Sequence, residues 1–429
     1  MNKRTLTTAL VVLSLLLAAA VAFVVYMETR PVAEIPQTVP TTLAPTETTE
    51  IPTTAAPETA VPMETEVVTE APETEPPEIR YTLTFAGDCT LASDSSNYNS
   101  PHGFIQTVGT DYGYPFRNVL DIFENDDFTI INLESVLADS GASSGKLFTF
   151  RGPTAYTQIM TGSSVEAVTL ANNHTEDYGK AGYESTTKAL SEAGVWYVEA
   201  DKTTLVTTES GLTIGLYADF FYFTKADIQK NVQMLRNQGA EIIICAFHWG
   251  NEGSYRPTGD QKAFAKAAID AGAHIVYGHH PHVLQPVEEY NGGYIFYSLG
   301  NFSFGGNHFP RDMDSAIVQV EVLRDDDGKV RLDGLNIIPV AISSIQGQNN
   351  FQPTPYAEGT PEYDRAMSKL DGTFTGPNLV VNYDHLKETQ PATQAPSQEE
   401  NPPENDPPAA TQAPQEPPAP PAGNPPDPT

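Results

Sequence analysis

Between residues 80 and 344, short apolar runs of strand length alternate with longer runs of helical period, the pattern of an α/β domain. The strand-length runs are YTLTFAG from Tyr81, FTIINLE from Phe128, VEAVTLANN from Val165, LTIGLYAD from Leu212, EIIICAFHW from Glu241 and HIVYG from His274. Between them, FRNVLDIFEN, GKAGYESTTKALSEAG, ADIQKNVQMLRNQGA and TGDQKAFAKAAIDAGA have the spacing of amphipathic helices. The last three run into a glycine, the residue that best tolerates the left-handed turn closing a helix. Beyond these the period changes to two. GGYIFYSLGNFSF and AIVQVEVLRDDDGKVRLDGLNIIPVAI alternate around Gly-Gly and Asp-Gly turns, which predicts antiparallel strands that join or face the first sheet.

Composition narrows the folded part of this 429-residue chain to its middle. Residues 31–78 are Thr, Pro, Ala and Glu without a Lys or Arg, too poor in apolar side chains to offset the entropy of ordering, and predict an extended acidic stalk. Residues 391–429 are richer still in proline and predict a polyproline-type tail. These ends carry much of the net charge of −32, which argues against a nucleic-acid partner.

At the N-terminus, Lys3 and Arg4 precede a charge-free apolar run, residues 9–26, of ~27 Å as a helix, close to the thickness of a bilayer core. The charge bias predicts a single span with everything after it outside the cytoplasm. A cleaved signal ending near Ala20-Val21-Ala22 is the alternative, and either reading exports the domain. Cys89 and Cys245 form no framework or metal-type spacing; they read as small buried residues, with a single bridge left open.

Polar groups recur just past the ends of the strand runs, where ligands of α/β sheets gather. Asp88 follows TLTFAG, Glu134 follows TIINL, Asn172-Asn173-His174 follows AVTLA, and His248 follows IIICAF. His279, His280 and His282 follow HIVYG, and Asn301 closes YIFYSLG. Singly, each has a structural alternative: an Asx turn at Asp88, a helix cap at Glu134, a packed ring at His248, turn-forming Asn residues at 172 and 173. A loop has no packing reason to gather three of nine histidines into four positions. Carboxylate, amide oxygen and imidazole together are the donors expected for Zn, Mn or Fe rather than calcium. Arg151 and Arg256 are candidates for binding a carboxylate or phosphate, or else solvated surface residues.

Taken in order, GDCTLA, INLES, LANNHTEDYG, HWGNE, GHHPHVLQPVE and YSLGNFSF resemble the motif series of the CapA family of poly-γ-glutamate capsule proteins, within the calcineurin-like metallophosphoesterase superfamily. The resemblance covers residues 81–305. It implies a layered αββα fold, two packed β-sheets flanked by helices, with two divalent transition metal ions at one sheet edge. It implies Asp88, Glu134, Asn173, His248, His280 and His282 as metal ligands and His174 as the catalytic group; Arg151, Arg256 and Asn301 stand beside these as the candidates toward substrate. One position departs: where the superfamily usually has a histidine two residues after its first aspartate, this chain has Thr90, so one metal would lack a ligand or recruit His279.

The expected organisation is an anchor or signal over residues 1–30, a stalk over 31–78, a CapA-type metallophosphoesterase-like domain over 79–345, an extension over 346–390 and a tail over 391–429. The expected function is a membrane-anchored, extracytoplasmic, metal-dependent hydrolase in synthesis or export of an anionic surface polymer, with capsule synthesis and export proteins as partners. A non-catalytic polymer-binding scaffold and a general secreted phosphoesterase stay open beside it.

Overall fold

The computed structural model describes residues 78–382. The apolar run at 9–26, the stalk short of its last residue and the tail at 391–429 lie outside the described residues. Among the described residues no helix is long and apolar enough to cross a membrane.

Two sheets form the middle of the domain. In the first, the strand Ile79–Thr90 is central. Phe128–Leu133, Ala167–Thr169 and Trp196–Val198 lie parallel to one side of it, and Asp314–Arg324, Val330–Ala341 and Thr354–Pro355 run antiparallel on the other. A short strand, Asn301–Phe304, adds in parallel to its C-terminal end. The second sheet has the order Val287–Tyr290, Gly293–Phe296, Ile275–His279, Ile242–His248, Thr213–Phe220, Lys202–Thr207, with its four inner strands parallel.

Alternation along each strand decides what each face meets. In IIICAFH, Ile242, Ile244 and Ala246 join Leu83, Phe85 and Ile130 of the first sheet in a shared core. Ile243, Cys245 and Phe247 point the other way, against Ile228, Val232 and Leu235 of the helix Lys225–Asn237 and Ala265 and Ala268 of the helix Gly259–Ala271. Burial on both faces explains the unbroken apolar run, since no face needs polar residues. The outer face of the first sheet, with Cys89, Ile131 and Leu133, packs against Ile159, Met160 and Leu190 of its own helical layer. The result is the expected αββα layering. Cys89 and Cys245 thus belong to opposite outer layers, and both are free thiols.

The long helices end as their glycines predict: Gly194 and Gly272 close Gly179–Ala193 and Gly259–Ala271 at φ 76° and 105°. Two expectations change. FRNVLDIFEN is helical only over Leu120–Phe123. Its apolar residues Phe116, Val119 and Phe123 are buried as the period requires, but Val119 leaves helical backbone (φ −126°) and Asn118 Nδ2 donates to Thr354 Oγ1, so tertiary contact overrides the local pattern. GGYIFYSLGNFSF is divided between the sheets: across the Gly-Gly turn Gly293–Phe296 pairs antiparallel with Val287–Tyr290 as expected, but its other edge lies parallel to Ile275–His279, and Asn301–Phe304 crosses to the other sheet, parallel to Ile79–Thr90. Period two reports pleating, not direction. Gly300 at φ 70° makes the crossing. Residues 314–341 do form the expected antiparallel hairpin.

Past residue 346 the chain keeps packing on the domain. The helix Pro361–Leu370, capped by the Thr360 side chain, buries Ala366 and Leu370 in the core shared by the two sheets.

Candidate metal centre

The C-terminal ends of the two sheets meet over one small region, and close backbone approach brings them there. A Cβ on Gly87 would lie 2.3 Å from Gly300 O, and one on Gly278 would lie 2.2 Å from Tyr297 O. Only glycine allows these contacts immediately before Asp88 and His279. Asp88 is in register with Asn301 on one side and Asn132 on the other, while His248 is in register with His279. Past the strand, His280 and His282 adopt left-handed backbone at φ 93° and 54°, a strained conformation for non-glycine residues that concentrates at functional sites.

The groups so placed are buried. Asp88 and Glu134 are 1% exposed, His248 is 0% and His280 is 8%. Asp88, Glu134 and His282 bring one donor atom each within 4.8 Å of one another, and so do Glu252, His280 and His282. His248 Nε2 is 3.7 Å from Glu134 Oε1 and its ring centroid 4.7 Å from that of His280. Both ring nitrogens of His248, Nδ1 of His280, Nε2 of His279, Oε1 of Glu134 and Oδ1 of Asn173 are buried without a hydrogen-bond partner. Orphaned polar atoms are costly in an interior, and here those of Glu134, His248 and His280 belong to side chains that stand side by side. A divalent cation fits that donor set.

Electrostatics agree. Burial alone would raise the Asp88 carboxyl, yet hydrogen bonds and charge from His279 and His282 hold it well below the usual carboxylate range. Burial pushes Glu134 well above its range, against the pull of His282. Burial lowers His248 far below an ordinary imidazole and, with His282 beside it, takes His280 down to about 4, so both offer neutral nitrogens. At His282, burial opposes protonation, but Glu134 and Asp88 overcome it and push the imidazole up to about 10. The site attracts positive charge.

Around this centre, His279 Nδ1 lies 2.7 Å from Asp88 Oδ1. Asn301 Oδ1 is 2.9 Å from His282 Nδ1. Two amides form a chain behind the carboxylates, Asn172 noted in the sequence and Asn132 missed by it: Asn132 Nδ2 donates to Asp88 Oδ1 at 3.0 Å, and Asn172 Nδ2 donates to Asn132 Oδ1 at 3.0 Å. Asn132 lies inside an apolar run and gave no signal of its own. At the rim, His174 Nδ1 is 2.7 Å from Asp177, which is fully buried and also paired with Lys146. Thr90 is buried with no partner for its hydroxyl.

A pocket opens beside the centre, lined by His174, Glu252, His282, Asn301, Phe304 and Arg311 among others. Arg151 and Arg256 are engaged elsewhere. Arg151 donates to Ala138 O and stacks over Tyr98 and Tyr178. Arg256 binds Phe374 O, Gly376 O and the Asn378 side chain. Arg311 is the exposed arginine of the pocket wall.

An αββα protein with an acid–histidine centre at the C-terminal edge of its sheets is the class so defined. Its residues 82–306 match the model of the bacterial capsule synthesis protein family PGA_cap, and the chain belongs to that family. It is 31% identical over 292 residues to a capsule biosynthesis protein CapA of Bacillus anthracis, covering 61% of this chain and 68% of that one. It is 33% identical over 227 residues to the PGA biosynthesis protein CapA of Bacillus subtilis, 48% of this chain and 60% of that one. A protein of Mycobacterium tuberculosis described as a probable polyglutamine synthesis accessory protein is 26% identical over 334 residues, 67% of this chain and 84% of that one. The CapA resemblance of the sequence motifs is thereby borne out. A solved NAD nucleotidase of Haemophilus influenzae superposes with a TM-score of 0.36 at 14% identity, over 69% of this chain and 56% of that one, a likeness too low to bear on function.

Proposed function

We propose that this protein serves synthesis or export of an anionic surface polymer, poly-γ-glutamate, as a metal-dependent hydrolase held outside the membrane by residues 9–26. Membership of the capsule synthesis family supports the polymer role. The observation that carries the catalytic part is the convergence of buried, unpartnered ligand atoms from Glu134, His248 and His280 beside a rim histidine already oriented by a carboxylate.

Asp88, Glu134, Asn173, His248, His280 and His282 would hold divalent transition metal, Mn, Zn or Fe. When bound, such a cation polarises the scissile group and lowers the pKa of a coordinated water. The chain's own groups do the rest. With Nδ1 turned to Asp177, the other ring nitrogen of His174 is left to deliver a proton to the leaving group. Asn301 fixes the His282 ring, and Arg311 on the pocket wall offers a planar fork to a carboxylate or phosphate. Capsule synthesis and export proteins are the expected partners.

Thr90 favours a second reading, a metal-dependent scaffold that binds polymer without cleaving it. Complementing a deletion strain separates the two. Hydrolysis requires that His174→Ala and Asp88→Ala both lose surface polymer; if Asp88→Ala alone does, the hydrolase reading is abandoned. For topology, intact protein is expected in the membrane fraction after a high-salt wash, and recovery of a shortened chain from the medium would replace the anchor with a cleaved signal.

A further inference from the structure

The pocket beside the metal centre draws its lining from two parts of the chain. His174, His282 and Asn301 belong to residues 82–306, which match the family model. Arg311, Leu379 and Val381 also line it, and all three lie past that match. Leu379 and Val381 are half-buried on either side of Val380, which is 75% exposed. That is the alternation of an extended segment with one side turned to the pocket and the other to solvent.

The segment 374–381 is fastened in this place. Leu379 N donates to Gly253 O at 2.9 Å, and Tyr255 N donates to Asn378 Oδ1 at 3.1 Å. Arg256 reaches it at Phe374 O (3.3 Å), Gly376 O (3.0 Å) and Asn378 Oδ1 (3.2 Å). The Phe374 ring packs edge-on against Tyr255 with centroids 4.8 Å apart, and the Tyr255 hydroxyl donates at 2.7 Å to Asp312, the neighbour of Arg311. Gly253 makes room for the seating, since a Cβ there would lie 2.9 Å from Leu379 Cβ and 3.0 Å from Val381 Cγ2. An arginine that serves no anion thus holds the C-terminal segment against the loop after His248.

Much of the lining is apolar. Phe148 and Phe150 stack with ring planes 1° apart, and the Phe150 centroid lies 4.6 Å from that of His174. Leu379 and Val381 add aliphatic surface, and Arg311 adds a fork for a carboxylate. A γ-linked glutamyl chain carries methylenes and a carboxylate in every residue, whereas a sugar–phosphate chain has no such methylene stretch.

We infer that segment 374–381 is a substrate-contacting wall of this site: Leu379 and Val381 hold the methylene stretches of an anionic γ-linked polymer, Arg311 holds a carboxylate, and Arg256 is a positioning residue that keeps the wall in place. This wall presupposes the polymer role proposed above and names the residues that select the chain. Recognition then falls to residues past the family match, and the metal centre to residues within it.

Binding of a fluorescently labelled γ-linked glutamate octamer to full-length, Mn²⁺-loaded protein, read by anisotropy, is the test. Val381→Glu sets a carboxylate against those of the polymer and is expected to weaken binding roughly tenfold or more, whereas Val381→Lys binds at least as tightly as wild type. Val380→Glu, turned to solvent, keeps wild-type affinity, and Mn²⁺ content is unchanged in all three. Arg256→Ala is expected to weaken binding several-fold while hydrogen exchange at the Leu379 amide speeds up. Equal affinity in Val381→Glu and Val381→Lys overturns the wall. So does a loss in Val380→Glu as large as that in Val381→Glu, which marks a general field instead of contact. Faster exchange in Arg256→Ala at wild-type affinity overturns the positioning role of Arg256. A wild-type protein that does not bind the octamer overturns the polymer reading itself, and the wall's occupant with it.

Discussion

Asp177 reaches His174 Nδ1 with one carboxylate oxygen at 2.7 Å and Lys146 Nζ with the other at 3.0 Å, while the backbone N–H of Phe150 donates to it at 2.8 Å. Three elements of the chain therefore fix one buried carboxylate, and that carboxylate fixes the imidazole. Asp177→Asn keeps the shape but presents either an amide N–H to Nδ1 or a neutral acceptor. Turnover of a phosphodiester substrate is expected to fall roughly 10²-fold, in the range of general-acid contributions, with metal content unchanged. Wild-type kcat in this variant would remove Asp177 from the mechanism.

The paired substitution His280→Ala with His282→Ala removes His282, which both candidate ligand groups share, and His280, which belongs to one of them. Most bound transition metal is expected to be lost, because alanine supplies no donor atom at either position. Elemental analysis equal to wild type would contradict the ligand assignment.

Away from the site, burial raises Glu166 to about 7 and Asp126 to about 6, and both accept hydrogen bonds from Thr129. The folded protein keeps protons that the unfolded chain, at ordinary values of 4.5 and 3.8, releases earlier. Their contribution to stability is therefore fully present below those ordinary values and declines as pH rises through 6 and 7. Urea midpoints compared at pH 5 and pH 7.5 are expected to fall less in Glu166→Gln than in wild type. An equal fall in both excludes Glu166 as the source.

Lys369 is 3% exposed and bridges Asp312 at 2.6 Å and Asp314 at 2.7 Å, tying the helix Pro361–Leu370 to the start of the strand Asp314–Arg324. Lys369→Met strands buried carboxylates and is expected to cost about 3–5 kcal/mol in denaturant unfolding. Burial would raise Asp314, but Arg365 and Lys369 hold it below its ordinary 3.8, so this network contributes above that pH and is lost as pH falls below it. A loss under 1 kcal/mol would mean that Arg365 alone suffices.

Much of the layering was legible because both faces of the inner strands are buried and their ends are marked by Asp88, Glu134, His248 and His280. Direction was not: the alternation of NFSF is the same whether Asn301–Phe304 lies parallel or antiparallel to its neighbour. Asp177 lies inside LANNHTEDYG yet was given no role, because acidic residues are ordinary in loops and only its contact with His174 distinguishes it. Arg151 and Arg256 read as anion receptors, yet guanidinium donors serve backbone carbonyls equally well, and here they do.

The strand Ile79–Thr90 is central in its sheet but comes first in the described chain, and Thr82 finds its partner Glu321 across 239 positions of sequence. Asp88 waits too, since its amide bonds Gly300 O. A chain emerging N-terminus first thus presents its earliest ligand with Asn132 at hand but long before Gly300 can hold its amide, and loop closure over such separations is slow. The metal edge is assembled near the end of folding, and shorter nascent chains would exchange the Asp88 amide freely while the parallel strands of the second sheet are already protected.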